Sequence, residues 1–233
     1  MLGLYIGIIL LLNIPYVQHR MSVLVAKELS TVLGSELTVG RINIGLLNRI
    51  IIDDLVLNDQ SGKELLKIGR LSAKFEILPL FSGKISIGNV QLFSFNANLE
   101  RPTPQASTNF QFVLDAFASK DTVKKKSNLD LRINSLLIRR GKVSYDVLSA
   151  ESTPGKFNPQ HIRLSNILAN ISLKALQNDS VNAAIKRMSV EEEHSGFELK
   201  KLSLKIIANN RKMRIENFAI DLPNTSLAMD TIR

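Results

Sequence analysis

The sequence predicts a mainly β protein in which long antiparallel strands follow two N-terminal helices. Three observations predict this class: an apolar run opens the chain, an amphipathic segment follows it, and from Glu36 onward apolar and polar residues alternate as they do in strands. The alternation also changes phase at a recurring place. At 233 residues, the chain is long enough to bury a substantial core in one large domain or two smaller ones.

The apolar run covers Leu2 to Val17, and Asn13 is its only strongly polar residue. A helix that crosses about 30 Å of hydrocarbon needs about 17 to 25 residues, so the run is near the lower limit. No small-x-small cleavage site follows it, which disfavours a cleaved signal peptide, and a buried core helix is a further alternative. We predict a transmembrane signal anchor over residues 1–17, with these residues in the membrane: Leu4, Ile6, Ile8, Ile9, Leu10, Leu11 and Leu12.

Residues 18–34 form the amphipathic segment, which we predict to be a capping helix. Gly34 is the expected stop at its C-terminal end. Such a helix could cap the open end of a β structure or lie on a membrane surface, and we favour the cap. Its apolar residues recur at spacings of three and four, as one helix face requires: Met21, Leu24, Val25, Leu29, Val32 and Leu33.

The phase change belongs to an internal repeat: apolar, any, apolar, two non-apolar, apolar, any, apolar. An extra residue in a strand is a β-bulge, which bends the strand and increases its twist. A two-residue hairpin loop at the central pair is the rival interpretation, but Lys186-Arg187 and Lys200-Lys201 do not suit a tight turn. We therefore predict bulges inside long strands. The copies begin at Leu37, Ile50, Leu66, Ile85, Leu131, Ile162, Ala183, Phe197 and Met213.

The remaining pattern divides the chain into two β sections. Residues 35–101 form the first, and its last strand runs from Lys84 to about Glu100 after a short crossover at residues 78–83. Residues 102–128 are a loop with a short helix, which we expect Asn109 to cap, and a polar run at residues 120–127. Residues 129–233 form the second section. Its strand-like alternation continues to the last residue without a closing turn, so we expect the natural chain to extend further.

The sequence offers no catalytic or cofactor motif. His19, His161 and His194 are far apart, so we do not expect a shared metal or catalytic role. Asp53-Asp54 occupies a central pair of the repeat, where paired carboxylates without a partner are better explained as solvated edge residues than as a general acid and base. No phosphate-binding loop and no nucleophile elbow occurs. We predict a protein that is not an enzyme and needs no cofactor.

The charge of the chain favours an anionic surface as partner. The formal net charge is +9, which by itself does not choose among lipid headgroups, lipopolysaccharide and nucleic acid. Lys124-Lys125-Lys126 lacks the interleaved aromatic residues on which single-strand binders stack bases, so nucleic acid is not an expected partner. The chain has no cysteine, which excludes disulfides and thiolate metal sites.

The order of these features resembles the AsmA-like proteins, and most closely the N-terminal part of TamB, the translocation and assembly module subunit, as it occurs in Bacteroidetes. The likeness covers roughly Leu2 to Phe117 well and the remainder only through the repeat. It rests on an anchor helix, then an amphipathic helix that ends in "VLGSELTVGRINIG", then "RIIIDDLVLND", "GKELLKIGRLSAKFEILPLFSGKISIGNVQL" and "NFQFVLDAF".

The resemblance implies an elongated, twisted, antiparallel open β-groove of the bridge-like lipid transfer type. It further implies a single-pass protein of the bacterial inner membrane, with the β portion in the periplasm and phospholipid acyl chains as partners. In the family, a C-terminal domain meets an outer-membrane Omp85-type protein, and that domain lies outside this sequence. The implied roles are phospholipid conduction between the two membranes and support of outer-membrane assembly.

The groove-facing residues are expected from their places in the repeat. In a closed sandwich the same residues would form a core, and alternation alone does not separate the two arrangements. Two functions stay open: lipid conduction, and a non-conducting scaffold or chaperone for outer-membrane β-barrel proteins that offers strand edges for augmentation. The candidate groove residues are Ile42, Ile44, Leu55, Leu57, Ile85, Ile87, Val90, Leu92, Ile133 and Leu136.

Overall fold

The structure is a computed structural model of the chain, and it describes residues 3, 7, 10–45, 48–75, 85–117, 129–177, 180–209 and 212–232. Several of the expected features lie outside the described residues. These are the crossover at residues 78–83, the polar run at residues 120–127, and the anchor residues Leu4, Ile6, Ile8 and Ile9.

Ten strands form one open sheet, in which each strand lies beside its neighbours in sequence. The predicted mainly β class is therefore confirmed. Helix α1 spans Pro15–Leu33, and helix α2 spans Gln111–Phe117. The strands are β1 (Leu37–Gly45), β2 (Arg49–Asn58), β3 (Glu64–Phe75), β4 (Ile85–Arg101), β5 (Leu129–Val147), β6 (His161–Gln177), β7 (Ser180–Glu192), β8 (Phe197–Asn209), β9 (Met213–Leu222) and β10 (Thr225–Ile232).

The prediction of a wholly antiparallel sheet is wrong at one pair. Strands β4 and β5 pair in parallel, from Ile85 beside Leu129 to Arg101 beside Val147. A parallel pair needs a crossover of a dozen or more residues, which residues 102–128 provide. This pair also joins the two β sections that the sequence suggests, so they form one mixed sheet and not two separate sheets.

The repeat lies in nine successive strands, with one copy inside each strand from β1 to β9. The hairpin interpretation is therefore wrong, because the central pairs do not end strands. The backbone departs from regular strand geometry at several pairs, with φ of 55° at Asp54, 49° at Asn166 and 53° at Asn217. In the register of β7 with β8, the central pair Lys186-Arg187 is skipped between the paired residues Ile185 and Met188. These positions confirm the predicted bulges.

Helix α1 begins at Pro15, three residues before the predicted start at Gln18, and ends where the sequence predicts. Ile14 is extended, with φ −66° and ψ 130°, because the proline ring disfavours a helical conformation in the residue before it. At the other end, Gly34 takes the left-handed conformation with φ 66°, and its N–H donates to the carbonyl of Ser30. Within the described part of the chain, no helix combines the length and the apolarity that a bilayer crossing requires.

Helix α1 covers the edge of β1 that β2 leaves free. The Ser30 hydroxyl accepts a hydrogen bond from the Leu37 N–H at 2.9 Å and donates one to the Leu37 carbonyl at 3.2 Å. Near the other end of β1, the Asn13 amide donates to the Ile44 carbonyl at 2.9 Å. The predicted capping helix thus covers an edge strand, which would otherwise expose unpaired backbone groups.

The face of α1 that meets β1 differs from the predicted apolar face. Gln18 and Ser22 are buried, and Ser22 keeps only 1% of its surface exposed. Leu24 and Val32, which the spacing places on the inner face, are 65% and 59% exposed. The small Ser22 side chain allows a close approach of helix to strand, which a periodicity of apolar residues does not detect.

An apolar cluster closes one end of the sheet, which we call the capped end. It is built from the end of α1, the first strands and α2, with Leu65 and Val113 among its buried members. Asn109 does not cap α2 as predicted. Its side chain binds β4, accepting from the Glu100 N–H at 3.0 Å and donating to the Asn98 carbonyl at 3.1 Å. The buried members are Leu33, Leu37, Leu57, Leu65 and Val113.

Candidate functional site: an apolar inner face

Apolar side chains from neighbouring strands form continuous rows across one face of the sheet, which we call the inner face. We name four rows by their residue on β4: row A through Val90, row B through Leu92, row C through Phe95 and row D through Ala97. Row B crosses all ten strands, and its members are Ile42, Ile52, Leu71, Leu92, Ile138, Ala169, Met188, Leu202, Ile220 and Leu227.

Rows A and C run parallel to row B on either side of it. Row A lies toward the uncapped end of the sheet, and row C lies toward the capped end. The members of row A are Ile44, Ile50, Ala73, Val90, Leu136, Ile171, Ile185 and Leu204. The members of row C are Val39, Leu55, Ile68, Phe95, Gly141, Ile167, Val190 and Leu199.

The structure brings seven of the ten candidate groove residues together on this face. The side chains of Ile85, Ile87 and Ile133 lie outside the described ones. The other seven fall into four adjacent rows: Ile44, Val90 and Leu136 in row A, Ile42 and Leu92 in row B, Leu55 in row C, and Leu57 in row D. Of the predicted anchor residues, Leu10 and Leu11 are exposed and Leu12 is half-buried.

Exposure of the inner face falls from the uncapped end to the capped end. In row A, every member except Ala73 is half-buried. In row C, six of the eight members are buried, and Leu55, Val190 and Leu199 each keep only 8% of their surface exposed. No second sheet covers this face among the described strands, so row C is shielded by side chains of its own sheet and by the apolar cluster of the capped end. In row B, Ile42 and Ala169 are buried, Leu227 is exposed and the other members are half-buried, so rows A and B remain partly accessible.

The opposite, outer face carries a charged trench of about 690 Å³. It follows the central pairs of β1 to β3, where both residues of each pair line the trench, and continues over β4 and β5. Arg70 pairs with Asp53 at 2.6 Å, and that hydrogen bond raises the pKa of Arg70. The trench is shallow and open to solvent, so the pair is screened. Its lining residues are Gly40, Arg41, Asp53, Asp54, Gly69, Arg70, Phe93, Ser94 and Arg140.

The repeat pattern does not find two of the bulges that line this trench. Ser94 and Arg140 have φ of 54° and 55°, so β4 and β5 each carry a second bulge. The pattern requires two non-apolar residues followed by an apolar one, whereas Phe93 precedes Ser94 and Gly141 follows Arg140. A pattern that admits one aromatic residue in the pair, or glycine on the inner face, would find both.

A buried carboxylate holds the turn between β7 and β8. Glu192 is 2% exposed and lies in row D, where it faces Leu164 and Phe197. Burial raises its pKa, but hydrogen bonds from the Ser195 hydroxyl at 2.5 Å and the Ser195 N–H at 2.7 Å outweigh burial, so the pKa falls to about 2. The group is therefore a charged anchor for the turn.

His161, Asp146 and Arg163, on β5 and β6, bind one another or the backbone. His161 binds Asp146 at 2.9 Å and the Ala150 carbonyl at 3.1 Å, and the first of these bonds raises the pKa of His161. Arg163 binds the other oxygen of Asp146 at 2.7 Å. Within the described residues, no group of three acidic or histidine side chains could hold a metal ion.

Comparison of the chain with family models and with curated protein sequences found no match.

Proposed function

We propose that the inner face binds the acyl chains of phospholipid, and that the protein conducts phospholipid between the inner and outer membranes of a bacterial envelope. In this proposal the N-terminal run anchors the chain in the inner membrane, the β portion lies in the periplasm, and the protein supports outer-membrane assembly. The resemblance of the sequence to the AsmA-like proteins suggested this role. The observation that carries it is the partly exposed apolar surface of rows A and B, most of whose members are half-buried.

The energetics of apolar surface favour a bound apolar ligand. Each methylene left in water costs about 0.8 kcal/mol, so a sixteen-carbon chain in water costs on the order of 12 kcal/mol. Row B alone crosses ten strands, or roughly 43 Å at about 4.8 Å per strand. A partly exposed apolar row of that length favours an interaction surface. Repeated bulges would bend and twist the sheet into a groove around the chain.

Crosslinking from two adjacent leucines tests the proposal. Leu136 lies in row A, and Leu137 is the next residue on the same strand, pointing to the outer face beside Gln91 and Asn170. A photoreactive amino acid is introduced at one position or the other, and the protein is irradiated in cells. We expect phospholipid adducts from position 136 and far fewer from position 137. Equal yields, or no lipid adduct at position 136, would refute acyl binding by the inner face.

A second candidate function is a scaffold or chaperone for outer-membrane β-barrel proteins, and the exposed strand β10 favours it. All eight residues of β10 are exposed, and β9 is the only described strand that pairs with it. An edge with no partner among the described strands can accept a further strand by β-augmentation. Photoreactive residues in β10 should then yield adducts with unfolded barrel proteins, whereas lipid adducts from position 136 would be missing.

A further inference from the structure

Phe95 fills a gap in row C that glycine leaves on the neighbouring strand. Gly141 lies beside Phe95 on β5, and a Cβ atom at Gly141 would lie 2.2 Å from the Phe95 Cε1 atom. The Phe95 ring therefore occupies the space above the glycine. Beyond the glycine, the ring packs against the apolar cluster of Ile167, Val190 and Leu199.

The ring makes row C a continuous barrier. On the β1 side of Phe95, Leu55 and Ile68 are buried, and on the far side of Gly141 the next three members are buried as well. Without the ring, Gly141 would be the one place in the row that contributes no side chain. In rows A and B, on the uncapped side of this barrier, most members keep part of their surface exposed.

The accessible apolar surface therefore has a defined limit toward the capped end. On β4, Phe95 in row C lies five residues beyond Val90 in row A, or at most roughly 16 Å at 3.3 Å per residue. A straight apolar chain that enters from the uncapped end would lie across rows A and B. Its far end would meet the Phe95 ring.

We propose that Phe95 is an end stop that sets the longest acyl chain the inner face can bury. This inference rests on the proposed function, because it requires that acyl chains bind there. Replacing Phe95 with alanine would uncover the space above Gly141 and open a notch from row B toward Val143 in row D. The inner face would then bury additional methylenes of longer chains.

Displacement of a fluorescent fatty acid by straight-chain fatty acids of increasing length tests the end stop. The full chain is kept in solution with an amphipathic polymer, and the parent protein is compared with Phe95→Ala. Each additional buried methylene should raise affinity about fourfold until the chain reaches the stop. We expect the affinity of the parent protein to level off at a shorter chain than that of Phe95→Ala.

Phe93→Ala is the matched control. Phe93 lies on the same strand two residues away, but it lines the trench on the outer face. The same aromatic side chain is removed, so a general loss of packing would affect both variants, whereas the end stop would be lost only in Phe95→Ala. We expect the affinity of Phe93→Ala for fatty acids to level off at the same chain length as that of the parent protein.

The outcomes separate the inference from the function on which it rests. Binding of fatty acids with the same limiting length in Phe95→Ala and in the parent protein would overturn the end stop and leave acyl binding intact. No displacement in any variant would overturn both. If Phe95→Ala does not fold, Phe95→Leu keeps an apolar side chain, and we expect a smaller shift toward longer chains; an unchanged limit in folded Phe95→Leu would also overturn the end stop.

Discussion

Single residues allow the strands to change phase. Gly40 faces Asp54 across β1 and β2, and a Cβ atom at Gly40 would lie 3.0 Å from the Asp54 Cβ. The glycine therefore makes room for a neighbour in the left-handed conformation. Asp54, Asn166 and Asn217 are residue types that tolerate this conformation through local hydrogen bonds. The bulge at Asp54 thus combines a permissive residue with space beside it.

Glu192 should make the stability of the protein depend on acid pH. Its folded-state pKa of about 2 lies below the ordinary value of 4.5, so the unfolded chain takes up the proton first as pH falls. Its stabilising contribution is thus complete above about pH 4.5 and is lost as pH falls to about 2. At pH 7 we expect Glu192→Gln to lower the free energy of unfolding by about 2 kcal/mol, measured by urea denaturation.

The difference between the parent protein and Glu192→Gln should shrink steadily between about pH 4.5 and pH 2. Glu193→Gln is the control, because Glu193 is the exposed next residue in the chain. It should cost little stability and show no comparable pH dependence. A Glu192→Gln difference that stays constant down to pH 2 would show that the charge of Glu192 does not hold the turn.

Among the elements, α1 depends on close packing against β1. Ser22 is 1% exposed and donates its hydroxyl proton to the Gln18 carbonyl at 3.0 Å. Ser22→Leu would place three more carbons at this contact and push α1 away from the edge of β1. Overpacking of this kind costs about 1 to 3 kcal/mol. We expect that loss in the free energy of unfolding, together with faster hydrogen exchange at the Leu37 amide.

Val23→Leu is the matched control for α1, because Val23 is the next residue and is 54% exposed. It also introduces a leucine, but on the solvent side of the helix, and we expect a change within about 0.5 kcal/mol. Equal effects of Ser22→Leu and Val23→Leu would contradict the placement of α1 along β1.

For the whole molecule, the main property is that the sheet stays open. Strands β1 and β10 are its two ends, and they do not contact each other in the described part of the chain. The chain has no cysteine, so a disulfide can form only between cysteines that are introduced, and its formation reports that the two positions lie close together. Ala219 and Ala228 are partners across β9 and β10, at a distance that suits a disulfide.

We expect the double variant Ala219→Cys with Ala228→Cys to form a disulfide under mild oxidation. The double variant Arg41→Cys with Ala228→Cys should remain reduced, because it joins β1 to β10. The two variants share one cysteine, so its reactivity is the same in both, and thiol labelling followed by mass spectrometry measures the outcome. Rapid intramolecular oxidation of the second pair would show that the sheet closes.

Local patterns in the sequence predict much of this fold. The apolar and polar alternation predicts strands because side chains point to opposite faces of a sheet, and the recurring pair predicts bulges because one extra residue reverses that alternation. Gly34 predicts the end of α1 for an equally local reason. Seven of the candidate groove residues share one face because they occupy equivalent places in the repeat.

The properties that involve distant parts of the chain required the tertiary structure. The parallel pairing of β4 with β5 joins strands from the two predicted β sections, and the edge contact of α1 depends on Ser22 and Ser30, which carry no hydrophobic pattern. The closing of row C depends on Phe95 lying above Gly141, 46 positions away in the chain. Local sequence determines which face a side chain joins, whereas packing between strands decides which parts of that face remain open.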